Sequence, residues 1–255
     1  ISVAAAGAID MGKGLVTSSP HLPDWYNIPL RDIIKGKYGV NTFLINDASA
    51  AALGEHRFGA GRGVRTLIYL TVSTGIGGGI IINDKLYCGP SGSAGEIGHM
   101  TIDVNGSKCS CGNIGCLETV ASGTAVAQEA IRRVSLGEKS SLLEIVGGKI
   151  ENITAQEVGA AAQGGDSLAL DIIAKAANYL GVGMVNLVNI FNPEMIIVGG
   201  GMAKMGDLLL APARQVVQER AFQLSAQAVR IVPAQLGDDA GVLGAAAFAF
   251  QQGSS

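Results

Sequence analysis

Residues 93–122 read S-A-G-E-I-G-H-M-T-I-D-V-N-G-S-K-C-S-C-G-N-I-G-C-L-E-T-V-A-S, and they hold three of the four cysteines, one of the three histidines and two glutamates that bracket them. Cys109, Cys111 and Cys116 fall within eight residues, and His99 stands ten residues before the first. Thiolates and an imidazole at that density suit a tetrahedral Zn²⁺, which takes soft sulfur and borderline nitrogen ligands without geometric strain. Four protein ligands close the coordination shell, so such an ion is structural and holds a loop in shape. The competing reading is three reduced, buried or reactive cysteines with no metal. Against it, Gly112 and Gly115 let the backbone fold tightly between ligands, and no aliphatic alternation explains the cysteines as core. A Cys/His cluster in a chain otherwise poor in cysteine reads as a metal site.

Outward from this stretch, the 255 residues are 48% hydrophobic and 15% charged, with a formal net charge of −3. That composition is globular, and the length allows one large domain or two modest ones. The slightly acidic balance leaves no electrostatic footprint for nucleic acid or an anionic membrane. Aromatics are only 5%, so the core falls to Ala, Val, Ile and Leu. Cys88, outside the cluster, reads as a small buried hydrophobe. Cysteine usage of this kind, with no basic region followed by an apolar run at the start, leads to the expectation of a reducing, cytoplasmic location. Residues 176–193 are uncharged and long enough to raise a membrane question. Asn178, Asn186, Asn189 and Asn192 interrupt them, and a buried helix is expected.

Upstream, residues 1–5 read as a buried strand that opens without methionine, so the chain is expected to be a fragment. Residues 6–10 turn away, residues 11–25 form a Gly/Pro-punctuated loop, and residues 29–37 form a short helix with proline in its first turn. A strand over 40–45 runs directly into Asn46-Asp47 and an Ala-rich helix over 48–58. Asn46-Asp47 is either a plain helix cap or a carboxylate at the C-terminal end of a strand, where ligands bind in α/β sheets. The helix N-terminus favours its ionised form. Residues 65–72 and 79–83 are strands joined by Ser73-Thr74-Gly75-Ile76-Gly77-Gly78, a turn whose N–H groups can close on anionic oxygens. Residues 85–90 form a third strand.

Downstream, a helix over 117–134 is followed by a polar, irregular stretch over 135–153, a linker or a short helix, and then by helices over 154–163 and 167–191. A buried strand over 195–198 ends in Gly199-Gly200-Gly201, which either leaves room for a planar ligand or makes a simple strand-to-helix turn. Residues 229–233 form the last strand, and Asp238 and Asp239 are expected to cap a closing helix over 240–250, a nucleotide or metal role being the alternative. Strands alternating with helices, plus a glycine hairpin, indicate α/β with a mixed sheet.

G-E-I-G-H (95–99) followed by C-x-C-G-x-x-G-C-x-E (109–118) resembles the signature of the ROK family, named for repressors, uncharacterised reading frames and kinases, and the resemblance runs over nearly the whole chain. It implies an actin-like, ribonuclease-H-like fold of two domains. Residues 1–52 with the closing helix 240–252 would be the remnant of the small domain, and residues 53–239 the large one. It also implies an ATP-dependent sugar kinase, typically a glucokinase, with Asp47 of N-D-A as catalytic base. Gly7, Asn46, Glu96, His99 and Glu118 then contact the hexose, with His99 also on the zinc. Thr74, Gly75 and Gly77 cradle the phosphates of ATP with its Mg²⁺, and Gly199, Gly200 and Gly201 face adenine and ribose. Relatives carry G-x-P-G-P where Ala6 and Ala8 flank Gly7, and residues 20–25 resemble a substrate-side loop in which His21 is either a ligand or, as expected here, an exposed residue. The resemblance further implies a homodimer or homotetramer. Family kinases carry a D-x-G-G-T hairpin that this sequence does not contain, so the chain alone is expected to be inactive. The rival implication is the sugar-sensing domain of a repressor.

Overall fold

The computed structural model describes residues 1–19, 22 and 24–253. Pro20, His21 and Pro23, and with them the reading of His21, lie outside the described residues. Strand β1 (Ser2–Ala5) is followed by β2 (Ala8–Asp10), β3 (Leu15–Ser18) and β4 (Tyr26–Ile28), which form an antiparallel sheet of their own. Residues 6–25 therefore contain two strands where a turn and a loop were expected. Runs of three or four residues are too short for alternation to show, although Ile9 and Val16 bury one face of the sheet. Helix α1 (Leu30–Tyr38) begins one residue after Pro29 and stops at Gly39, whose φ of 66° lets its N–H return to the Lys35 carbonyl. Strand β5 (Phe43–Asn46) pairs in parallel with β1, Val3 opposite Leu44.

Helix α2 (Asp47–Phe58) starts at once, because the Asn46 side chain accepts the N–H groups of Ala48 and Ser49. Strands β6 (Leu67–Val72) and β7 (Ile76–Ile82) make an antiparallel hairpin in which Val72 faces Ile76. The glycines expected in its turn thus belong mostly to β7. A Cβ on Gly77 would sit 3.0 Å from the Ala48 methyl, and one on Gly79 would strike the Ala52 methyl. Close packing of α2 over β7 is what requires them. Strand β8 (Lys85–Leu86) is shorter than the expected third strand.

The helix expected over 117–134 is two, α3 (Glu118–Ala121) and α4 (Gly123–Ser135). Ser122 breaks it with ψ of 165°, and its hydroxyl accepts the Ala125 N–H at 3.1 Å. The break lets the Gly123 N–H reach the Ser73 carbonyl at 2.7 Å, which docks α4 on the β6–β7 turn. Next come α5 (Leu142–Ile145), α6 (Ala155–Gln163), α7 (Ser167–Phe191) and β9 (Met195–Gly199). Helix α7 has the length and apolarity to cross a membrane, yet Ile172, Ile173, Ala176, Leu180, Met184 and Leu187 are buried in the larger core. Helices α8 (Asp207–Arg220) and α9 (Gln223–Ala228) occupy a segment to which the sequence reading assigns nothing. Pro212 inside α8 forfeits one backbone bond and discourages a helix reading there. Strand β10 (Arg230–Pro233) and α10 (Ala240–Gly253) complete the described residues.

The central sheet runs β10-β9-β6-β7-β8, with β9 parallel to β6 and β10, and β7 antiparallel. It is mixed, as expected. One face is covered by α4, α6, α7 and α8 through the larger core. The other is covered by α2 and α10, where Leu53, Tyr69, Ile81, Ile197 and Phe248 meet. Helices on both faces of one sheet satisfy both of its apolar sides.

Candidate functional site

The cysteine loop is built from local backbone bonds. The Gly115 carbonyl accepts the N–H of Ile102 at 2.7 Å, the Asn113 carbonyl that of Cys109 at 2.8 Å, and the Cys109 carbonyl that of Gly112 at 3.0 Å. Gly112 (φ 92°) and Gly115 (φ 68°) occupy left-handed backbone, and the Asp103 carbonyl leaves no room for a Cβ at Gly115. The loop brings Nδ1 or Nε2 of His99 and the three sulfurs within 4.8 Å of one another. Zn–S bonds of about 2.3 Å and a Zn–N bond of about 2.0 Å in a tetrahedron place two sulfurs about 3.8 Å apart, and sulfur and nitrogen about 3.5 Å apart. Cys111 and Cys116 lie 3.7 Å apart, and Cys109 Sγ is 3.6 Å from His99 Nδ1. The donor set fits zinc. Burial, reinforced by the neighbouring sulfurs, pushes the Cys116 thiol up to about 12. Burial also opposes ionisation of Cys109, but bonds from the Cys111 N–H, the other thiols and His99 outweigh it and bring Cys109 down to about 7. Thiols this close resist joint ionisation until a cation neutralises them.

With Nδ1 facing the sulfurs, His99 turns Nε2 toward Glu96 Oε2, 3.9 Å away. Glu96 lines a first cleft with Gly7, Asn46, Asp47, Gly77 and Gly78. Burial raises the Glu96 carboxyl above its ordinary range; His99 opposes this, while the charges of Asp47 and Glu118 reinforce it. Three carboxylates and one imidazole therefore share a local field. Asn46 takes the helix-cap role that its position allows and makes a further bond. Its oxygen caps α2, and its Nδ2 donates to the Gly7 carbonyl at 3.2 Å, which anchors the Gly7 turn to the start of α2. Gly7 has φ of 106°, and a Cβ there would collide with the Ser18 carbonyl. Asp47 is the first residue of α2, its Oδ1 2.9 Å from the Ala48 N–H. Glu118 Oε2 accepts the Ile76 N–H at 2.8 Å, and its carboxylate fills the space a side chain on Gly75 would need. The first cleft holds only about 40 Å³, room for about three waters at ~10–15 Å³ each.

A second cleft of about 400 Å³ opens behind the hairpin, lined by Tyr69, Thr71, Ser73, Gly199, Gly200, Gly201, Lys204 and Asp238 among others. That volume lies within the range of small-molecule sites. Gly200 has φ of 84° and lies against the Val72 backbone, and Ser73 Oγ is the nearest atom to a Cβ built on Gly201, at 3.8 Å. The hairpin thus separates two clefts. Gly199, Gly200 and Gly201 face the second. Gly77 lines the first, Gly75 abuts Glu118, and Thr74 is exposed at the tip with its carbonyl bound by the Thr124 hydroxyl at 2.8 Å.

Glu55 and Tyr69 escape the sequence reading. Glu55 is fully buried on α2 and bonds to residues some 180 positions away, a relation no local pattern carries. Tyr69 reads as one more apolar strand residue, yet it lines the second cleft, and burial pushes its hydroxyl up to about 12. Cys88, read as buried, is half-buried.

Residues 1–252 match the ROK family. The glucokinase of Thermotoga maritima is 39% identical over 246 residues, covering 96% of this chain and 77% of its own length. The xylose repressor of Caldicellulosiruptor bescii is also 39% identical, over 244 residues, covering 96% of this chain and 60% of its own length. The structure of a ROK family glucokinase from Streptomyces griseus in complex with glucose and AMPPNP is 38% identical, with a TM-score of 0.88 over 97% of this chain and 80% of that one. The fold is accordingly actin-like and ribonuclease-H-like.

Proposed function

This chain belongs to the ROK family, and on that premise we propose that it carries the sugar-binding and catalytic-base machinery of an ATP-dependent hexose kinase, with glucose as substrate and the 6-hydroxyl as acceptor. One observation carries the proposal: Asp47, at the N-terminus of a helix, shares a cleft with Glu96, beyond which His99 ties that cleft to the metal loop. Asp47 accepts the hydroxyl proton as the oxygen attacks the γ-phosphorus, leaving hexose 6-phosphate and ADP. Glu96 and Glu118 suit paired sugar hydroxyls, since each carboxylate accepts two hydrogen bonds at once. Asn46 and the Gly7 backbone hold the ring from the opposite wall. His99, Cys109, Cys111 and Cys116 would hold a structural zinc, which would fix the loop that carries both acids. The second cleft takes ATP with its Mg²⁺, adenosine toward Gly199–Gly201. Positioning and charge stabilisation account for the acceleration.

The first cleft is smaller than a hexose, so binding requires its walls to part and close again, as in other enzymes with closing domains. Because α2 runs unbroken across residues 52 and 53, the parts that move are the wall carrying Gly7 and Ile9 and the wall carrying Gly77, Gly78 and residues 92–96. The D-x-G-G-T hairpin of family kinases supplies the second half of a phosphate clamp, and we infer that this chain transfers phosphate only when joined to one. The test has two arms. Calorimetric titration of the chain with glucose reads sugar binding. ADP release by the hairpin-joined protein reads turnover, and there Asp47→Asn is expected to cut kcat by at least about 100-fold with little change in glucose affinity. Near-normal turnover in Asp47→Asn would overturn the assignment of the base. The equal identity to a xylose repressor supports a second reading, a sugar-sensing regulatory domain. Sugar binding with no ADP release from the hairpin-joined protein would favour it.

A further inference from the structure

Helix α2 carries Asp47 at its first position and Glu55 eight residues later, about 12 Å along its axis. Glu55 is 0% exposed. Its Oε1 accepts the backbone N–H groups of Gln235 at 2.9 Å and Leu236 at 2.7 Å, and its Oε2 accepts that of Ala60 at 2.8 Å. Gln235 and Leu236 connect β10 to the turn Gly237–Asp239, and Ala234, Gly237 and Asp238 line the second cleft. On its other side this segment is tied to the sheet, with the Ala234 N–H donating to the Val198 carbonyl at 2.8 Å, one residue before Gly199. Gly59 is glycine because a Cβ there would strike the Glu55 carboxylate. Tyr69 in the same cleft feels the charges of both Glu55 and Asp47.

A carboxylate is the side chain that can accept three converging N–H groups while buried, since each oxygen has two acceptor positions. An apolar replacement leaves all three donors unpaired, and a glutamine turns one acceptor into a donor. We infer that Glu55 is a positioning residue that fixes the 234–238 wall of the second cleft to the helix bearing Asp47, so that the two clefts keep their register. It acts through backbone and touches neither ligand. The inference builds on the kinase reading but is separable from it.

The experiment compares wild type, Glu55→Ala, Glu55→Gln and Asp166→Ala by hydrogen–deuterium exchange and by titration with AMPPNP and with glucose. Asp166→Ala serves as a control that loosens the fold elsewhere, at the start of α7. For Glu55→Ala, exchange over residues 234–239 should rise and AMPPNP affinity fall by about tenfold, with glucose affinity within about twofold of wild type. Glu55→Gln, which keeps one acceptor for Gln235 and Leu236, should lie between and reads the same peptides if the alanine variant does not fold. Unchanged exchange over 234–239 would overturn the inference. So would a rise spread evenly through the sheet, the same AMPPNP loss in Asp166→Ala, or equal losses for both ligands. Failure of the hairpin-joined wild type to bind AMPPNP would sink the nucleotide reading of the cleft instead, and the exchange pattern alone would then uphold or sink the strut.

Discussion

At Asp166 one carboxylate accepts the Ala169 N–H at the start of α7, the Ser141 N–H at 2.6 Å, and the hydroxyls of Ser140 and Ser141. Burial works against ionisation there, but the accepted bonds outweigh it and the pKa lies below the ordinary carboxylate value. A depressed acid stabilises the fold above its unfolded pKa, and that contribution is lost as pH falls through the folded one. Asp166→Ala should therefore cost about 1–2 kcal/mol in urea denaturation at pH 7. The gap from wild type should narrow below about pH 4, near the unfolded carboxylate value; a constant gap would contradict this. The proposed zinc ligands, His99, Cys109, Cys111 and Cys116, form a second such group. Cys116→Ser should abolish stoichiometric zinc by elemental analysis and lower glucose affinity by about tenfold or more, because Glu96 and Glu118 lose their anchored loop. These residues were legible in the sequence for a physical reason: all four ligands lie within an 18-residue span, from His99 to Cys116, and their spacing is their geometry. The placement of Asp47 at a strand end and helix start was legible because strand, cap and helix are consecutive. Glu55 was not, since its partners lie at the other end of the chain.

Between elements, the tightest fit is that of α2 on α10. A Cβ on Gly244 would collide with the Ala50 carbonyl, and one on Gly54 with the Ala240 carbonyl, so the two helices meet backbone to backbone. Gly244→Val should cost about 3 kcal/mol, at the upper end for overpacking, since the obstacle is main chain and cannot swing aside. Chemical denaturation reads it, and a loss under 1 kcal/mol (on the order of a tolerated swap) would argue against the packing described. The long helices and the β6–β7 hairpin could be read from periodicity. The Ser122 break could not, because it answers to a contact with the Ser73 carbonyl across the chain. Strands β2 and β3 were lost to their own brevity, and α8 to a proline that its packing against α7 tolerates.

For the molecule as a whole, a sugar that must part the walls of a 40 Å³ cleft leaves a measurable trace. Glucose should slow amide exchange at the Gly7 turn and at residues 92–96 together, by about tenfold at saturation, if the two walls close on one ligand. Protection at one wall alone would place the sugar elsewhere. The mixed topology has a consequence for synthesis. Strand β6, apolar along most of its length, takes β7 on one side as a local hairpin, but its other edge waits for β9, and Thr66 must find Glu194 128 positions later. On a ribosome, the edge of Leu67–Val72 stays bare until residues 73–199 have emerged, the interval in which unpaired edges are most prone to aggregate. Nascent chains halted before Met195 should therefore need a chaperone that those halted past Pro233 do not.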